Sequence, residues 1–108
     1  MNQRRVVVTG MGALTPVGNT VSEFWNGLIS AKSGAGLITR FDTTKFKTKF
    51  ACEVKNYNPL DHFEKQDVRK MDPFTQYALV TSSEALKDSA LDLDKIDKTR
   101  VGVIWGSG

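Results

Sequence analysis

One cysteine and one histidine among 108 residues leave little material for metal or thiol chemistry. Cys52 has no second cysteine for an internal disulfide, and neither it nor His62 sits in a paired zinc-site spacing, so no metal is expected and a reducing compartment fits. Long apolar runs are missing too. Met1 to Arg5 lead only into Val6 to Val8, too short for the apolar region of a signal peptide and far too short to span a bilayer. That pattern predicts a cytoplasmic chain with no membrane partner. Charge of one sign is scarce: 15 Lys and Arg against 12 Asp and Glu leave a net +3, enough to allow an acidic partner and too little to require one. The remaining balance, 40% hydrophobic and 25% charged, is that of a folded globular chain and not of a disordered one. The length fits one compact unit or part of one.

Residues 5–9, Arg-Val-Val-Val-Thr, form a β-branched run ended by Gly10, as in a strand covered on both faces. Turn residues Gly10, Gly12, Pro16 and Gly18 follow. Thr20 with Glu23 then makes a capping box, and Val21, Phe24, Trp25, Leu28 and Ile29 recur at helical spacing, predicting a helix that ends near Ser33-Gly34. Residues 35–58 have little period, although Lys45 to Phe50 alternate and would send Lys45, Lys47 and Lys49 to one side and Phe46 and Phe50 to the other. A short polar helix is expected over Asp61 to Lys70. Asp72-Pro73, a capping residue before a first-turn proline, opens a long helix to about Leu91 whose small and apolar interior suits packing on a sheet. Arg100 to Trp105 reads as a second strand, and the order strand, helix, helix, strand predicts α/β architecture with a right-handed crossover. The chain reads as cut short after Gly106-Ser107-Gly108, a tripeptide that composition alone also allows as a flexible linker.

Several patterns invite a chemical reading. Gly10-Met11-Gly12-Ala13-Leu14-Thr15 follows a strand as a dinucleotide loop should, but Thr15 stands where the third glycine belongs and Pro16 interrupts the helix start, which favours a structural turn. Cys52 with His62 as base lacks any nucleophile-elbow context, and a free cysteine after Phe50-Ala51 reads as a small buried hydrophobe. Lys65 and Arg69 lie four residues apart with Lys70 beside them, a compact cationic edge for carboxylates or phosphate; interleaved Glu64, Asp67 and Asp72 make a solvated mixed-charge face the simpler reading of the residues alone. Nucleic-acid binding is disfavoured, because alternation separates Phe46 and Phe50 from the lysines.

The opening Arg5-Val-Val-Val-Thr-Gly-Met-Gly-Ala-Leu-Thr-Pro-Val-Gly-Asn-Thr20 resembles the start of the β-ketoacyl-acyl carrier protein synthases. The resemblance continues through Trp25, Ser33-Gly34, Phe41-Asp42-Thr43, Lys49-Phe50-Ala51, Arg69 to Phe74, Gln76-Tyr77-Ala78, and Val101-Gly102 to Gly108, covering nearly the whole chain in order. Type I synthases and polyketide ketosynthase domains share the opening and the last strand; Phe-Asp-Thr, Arg-Lys-Met-Asp-Pro-Phe and Gln-Tyr-Ala look most like type II. Gly-Ser-Gly is similar to the family's own residues, which turns the reading away from a linker.

The resemblance implies a thiolase-like α/β fold, layered α/β/α/β/α in a full-length homodimer, of which residues 1–108 supply the beginning of the first half. It implies a decarboxylative Claisen condensation of an acyl-enzyme with malonyl-carrier protein, giving 3-oxoacyl-carrier protein and carbon dioxide, without a cofactor. That chemistry asks for a thiolate, backbone amides for the oxyanion and two imidazoles. In the family these lie later in the chain, so neither Cys52 nor His62 matches them and the segment alone is expected to be inactive. Lys65, Arg69 and Lys70 are similar in position to part of the basic docking surface for acyl carrier protein, and Gly108 to the border of the acyl pocket. Two other readings stay open, a non-catalytic carrier-protein-binding module and, at the outside, a nucleotide-binding α/β domain.

Overall fold

A computed structural model of the chain describes residues 3–107. Its elements are helix α1 (Val21–Ile29), strands β1 (Gly36–Leu37) and β2 (Phe50–Ala51), a 3-10 turn at Pro59–Asp61, helix α2 (Lys65–Val68), helix α3 (Pro73–Asp88) and a second 3-10 turn at Lys98–Arg100.

Helix α1 starts where the capping box places it. The Thr20 hydroxyl accepts from the Glu23 N–H at 3.2 Å, while the Glu23 carboxylate reaches one residue further back than expected, to the Asn19 N–H at 2.8 Å. The helix stops at Ile29, earlier than the Ser33-Gly34 signal. The reason is a terminator without glycine: Ala31 takes φ 53°, the Lys32 N–H donates to the Gly27 carbonyl at 2.9 Å, and the Ala31 N–H donates to the Leu28 carbonyl at 3.0 Å. This is a Schellman closure, and it holds alanine in a conformation that disfavours a Cβ.

Helix α3 begins at Pro73 as predicted. Asp72 is its N-cap residue, but its side chain makes no cap bond; the proline at the first helical position and the Asp72 backbone carbonyl, which accepts from Thr75 at 3.0 Å, set the boundary. The polar helix expected over Asp61 to Lys70 is only a 3-10 turn and the single turn of α2.

β1 and β2 pair antiparallel, Gly36 opposite Ala51 and Leu37 opposite Phe50. The alternation read in Lys45 to Phe50 does not persist, because a turn occupies Thr44-Lys45 and Phe46 folds back edge-on to Phe41 with ring centroids 5.5 Å apart.

Neither of the two expected central strands, 5–9 and 100–105, forms a hydrogen-bonded ladder among the described residues. A strand buried on both faces needs a partner on each edge and a layer over each side, and these segments have none: Val6 is 90% exposed and Ile104 98%. The same deficit holds throughout. Among the described residues no hydrophobic side chain is buried; only Gly27, Gln76 and Thr81 are. The accessible surface of 9234 Å² compares with about 6,000 Å² for a compact monomer of this size. The radius of gyration, 17.4 Å, compares with about 13 Å. Roughly 3,000 Å² thus lacks the cover that a self-contained domain would provide. No helix among the described residues is long and apolar enough to cross a membrane.

Candidate functional site

The glycine-rich loop is seated on α3. A Cβ at Gly12 would lie 1.9 Å from the Thr81 carbonyl oxygen, and one at Gly10 would lie 2.3 Å from the Ala85 carbonyl oxygen and 2.5 Å from the Ser89 nitrogen. Both glycines are there because the two backbones touch. The loop's amides are already occupied by anions from α3: the Asp88 carboxylate accepts from the Met11 N–H at 3.0 Å and the Glu84 carboxylate from the Ala13 N–H at 2.8 Å. The second Glu84 oxygen accepts from the Val21 N–H at 2.9 Å, the first residue of α1. A phosphate would find these donors taken, so the structural turn is the correct reading and the dinucleotide loop is not. Glu84 and Asp88 escaped the sequence reading because they stand 71 and 77 residues from their partners. Beyond the seat, the Thr15 hydroxyl donates to the Gly18 carbonyl at 3.0 Å and closes the turn into α1.

Cys52 is exposed, a correction to its expected burial: it follows β2 at the free end of a two-residue ladder, with nothing laid over it. His62 is also exposed and stacks on Tyr57, centroids 5.6 Å apart and rings 17° from parallel, with Phe63 as its other aromatic neighbour. No hydrogen bond joins Cys52 to His62 among the described residues, and no group of three or more His, Cys, Asp and Glu gathers there as a metal site would need.

The basic residues occupy one short exposed stretch. Lys65 opens α2, Arg69 is its C-cap with helical angles of −69° and −19°, and the Lys70 N–H donates to the Asp67 carbonyl at 3.0 Å. The helical path therefore continues from Lys65 through Arg69, which keeps the four-residue spacing on one side. Glu64, Asp67 and Asp72 do not neutralise them: the ion pairs among the described residues are Lys95 with Asp92 and Lys98 with Asp94. Gly108 lies outside the described residues.

Behind this stretch, Tyr57 meets Tyr77 edge-on at 5.2 Å and donates its hydroxyl to the Gln76 side-chain oxygen at 3.2 Å. Burial, then the neighbouring Tyr77 phenol, pushes the Tyr57 hydroxyl above the ordinary tyrosine range. Arg40 donates to the Tyr77 hydroxyl at 2.8 Å. On the β1–β2 side, the Glu53 carboxylate is held below its usual range chiefly by the Thr39 hydroxyl, 2.8 Å away.

Residues 3–108 match the family model described as the N-terminal domain of beta-ketoacyl synthase. The chain belongs to the β-ketoacyl synthase family. It is 48% identical over its whole length to the 3-oxoacyl-[acyl-carrier-protein] synthase 2 of Vibrio cholerae serotype O1, and 47% identical over 97% of its length to the protein of that name from Staphylococcus aureus strain COL. It spans about a quarter of these β-ketoacyl synthase relatives, 26% and 25% of their lengths. Among solved structures, the ishigamide ketosynthase/chain length factor superposes with a TM-score of 0.73 at 38% identity, covering 86% of this chain and 23% of that one. A ketosynthase in complex with its type II PKS acyl-carrier protein, bound to the hexaketide, gives 0.63 at 31%, covering 84% and 23%. The α/β elements described above are thus part of a thiolase-like fold. The uncovered apolar segments agree with a β-ketoacyl synthase architecture of which these residues form one part.

Proposed function

We propose that residues 1–108 are a partial N-terminal half of a fatty-acid-elongating 3-oxoacyl-acyl carrier protein synthase, a soluble cytoplasmic homodimer when complete. The carrying observation is identity of 48% across the whole chain to a relative of that name, of which it spans 26%. The parent reaction is the decarboxylative Claisen condensation, in which an acyl group passes from carrier protein to an enzyme thiolate. Malonyl-carrier protein then loses carbon dioxide and its carbanion attacks that thioester. The segment's share is scaffold and docking. With one histidine and an exposed cysteine outside any elbow, the 108-residue chain alone is expected to release no carbon dioxide from malonyl-carrier protein, a null result in an assay where the full-length protein is active. Decarboxylation by the isolated segment would remove the reading.

In this reading Lys65, Arg69 and Lys70 contact acyl carrier protein, whose surface is acidic. Support comes from their exposure, their freedom from ion pairs among the described residues, and the neighbouring structure in which a ketosynthase is complexed with its acyl-carrier protein. Gly108, at the pocket border in this reading, carries no docking role. Reversing Arg69→Glu and Lys70→Glu in the full-length enzyme is expected to weaken carrier-protein binding by roughly tenfold or more at low salt, with the difference shrinking as salt rises. Equal affinity for both proteins in a calorimetric titration would end the docking claim. A free-standing carrier-binding module is disfavoured by the roughly 3,000 Å² of surface left uncovered.

A further inference from the structure

The basic stretch belongs to an excursion that leaves the body of the chain at Tyr57 and rejoins it at Met71. Among the described residues, every hydrogen bond made by residues 58–70 has its partner within 58–71, as in Phe63 N–H to Pro59, Val68 N–H to Glu64 and Lys70 N–H to Asp67. Helix α2 is one turn long and has no side-chain cap. A turn this short is not stable on its own. One side chain of α3 bonds to both ends of the excursion. Gln76, 5% exposed, accepts from the Tyr57 hydroxyl at 3.2 Å and donates from Nε2 to the Met71 carbonyl at 3.2 Å. Its two amide ends therefore clasp the two ends of the excursion. Met71 directly follows Arg69-Lys70, so the clasp sits one residue from the charges. His62, stacked on Tyr57, passes the same restraint into the turn that precedes α2.

We infer that Gln76 is a positioning residue for carrier-protein docking: by closing Tyr57 onto Met71 it presents Lys65, Arg69 and Lys70 as a preformed rigid edge. This rests on the docking role proposed above. A docking edge that is ordered beforehand avoids the ordering cost at the moment of binding. A buried amide is suited to the task, since it accepts from a hydroxyl at one end and donates to a carbonyl at the other without burying a charge.

The test uses the full-length enzyme with Gln76→Leu, Gln76→Glu and the gentler Tyr57→Phe, which keeps the ring stacks and deletes one bond. Gln76→Glu, in its ionised form, can still accept from Tyr57 but offers no donor to Met71. Amide exchange over 58–71 is expected to quicken in all three, and KM for acyl-carrier protein to rise roughly fivefold in the two Gln76 variants and less in Tyr57→Phe. kcat, and KM for the same acyl group on a small pantetheine thioester, are expected to hold. A merely structural role would instead move both substrates together, and that outcome overturns the inference. Unchanged exchange and unchanged KM in the Gln76 variants, where Arg69→Glu with Lys70→Glu does weaken binding, overturns the clasp and spares the docking role. Faster exchange with unchanged carrier-protein KM in every variant, charge reversal included, overturns the docking role and the positioning role with it.

Discussion

Replacing Gly12 by alanine is expected to destabilise the full-length protein by about 3–5 kcal/mol. The added Cβ would sit 1.9 Å from the Thr81 carbonyl oxygen and 2.8 Å from its carbon, and ordinary contact begins near 3.4 Å. Neither atom can yield by a rotamer change, because both are backbone in the middle of α3. Thr81 is itself buried, with its hydroxyl donating to the Tyr77 carbonyl at 2.8 Å and lying 3.1 Å from that of Ala78. The loop must therefore retreat, and the retreat also breaks the neighbouring 2.8 Å bond from Ala13 to the Glu84 carboxylate. Overpacking of this kind costs about 1–3 kcal/mol, and a lost bond to a charged acceptor about 1.5–3. Against this stands a gain of about 0.4–1 kcal/mol from stiffening the unfolded chain, too small to change the sign. Gly36→Ala is the control: its Cβ would find only the Lys55 Nζ, at an ordinary contact distance of 3.9 Å, so a shift within about 0.5 kcal/mol is expected. Urea midpoints measure both. Equal midpoints for the two variants would mean that the loop is not seated on α3.

The contrast between these glycines marks how far the sequence could be read. Local signals carried well. Asp72-Pro73 located the start of α3, Thr20 with Glu23 located α1, and the failed third glycine at Thr15 correctly pointed to a turn. Such signals act within four residues, where chain connectivity fixes geometry. What could not be read depends on contacts far along the chain. Nothing near Gly12 announces Thr81, and nothing near Ala13 announces Glu84, because packing creates those meetings. The early stop of α1 was hidden for another reason: Ala31 adopts an angle that its own type disfavours, so the expected glycine signal pointed downstream to Gly34. The runs at 5–9 and 100–105 read from composition as strands, yet a strand is a relation between segments, and neither run pairs in a ladder among the described residues. For the candidate site, the charges Lys65, Arg69 and Lys70 were legible, whereas Gln76 was legible only as part of Gln76-Tyr77-Ala78, because its burial and its bonds to Tyr57 and Met71 arise on folding.

Glu84→Ala is expected to cost the full-length protein about 2–4 kcal/mol, an effect large for a carboxylate that is only half-buried. One side chain of α3 accepts two backbone amides from either side of the Thr15–Gly18 turn, Ala13 in the loop at 2.8 Å and Val21 at the head of α1 at 2.9 Å. The second bond answers a standing need, because the first amides of a helix have no partner within it and carry the positive end of its dipole. Removing the carboxylate strands both donors in a partly buried place. Glu84→Gln should cost less, since its carbonyl can still serve one amide while its NH2 must turn from the other. Asp88→Ala should cost less still, about 1 kcal/mol, because it serves one exposed amide, that of Met11. The mechanism separates from general damage through a double-mutant cycle. Val21 occupies the first helical position, where proline is tolerated and its missing N–H removes the donor that Glu84 serves. In the Val21→Pro background the cost of Glu84→Ala should fall by about 1 kcal/mol or more, read from chemical unfolding of all four proteins. Strict additivity in that cycle would show that Glu84 stabilises α1 by something other than the bond to its first amide.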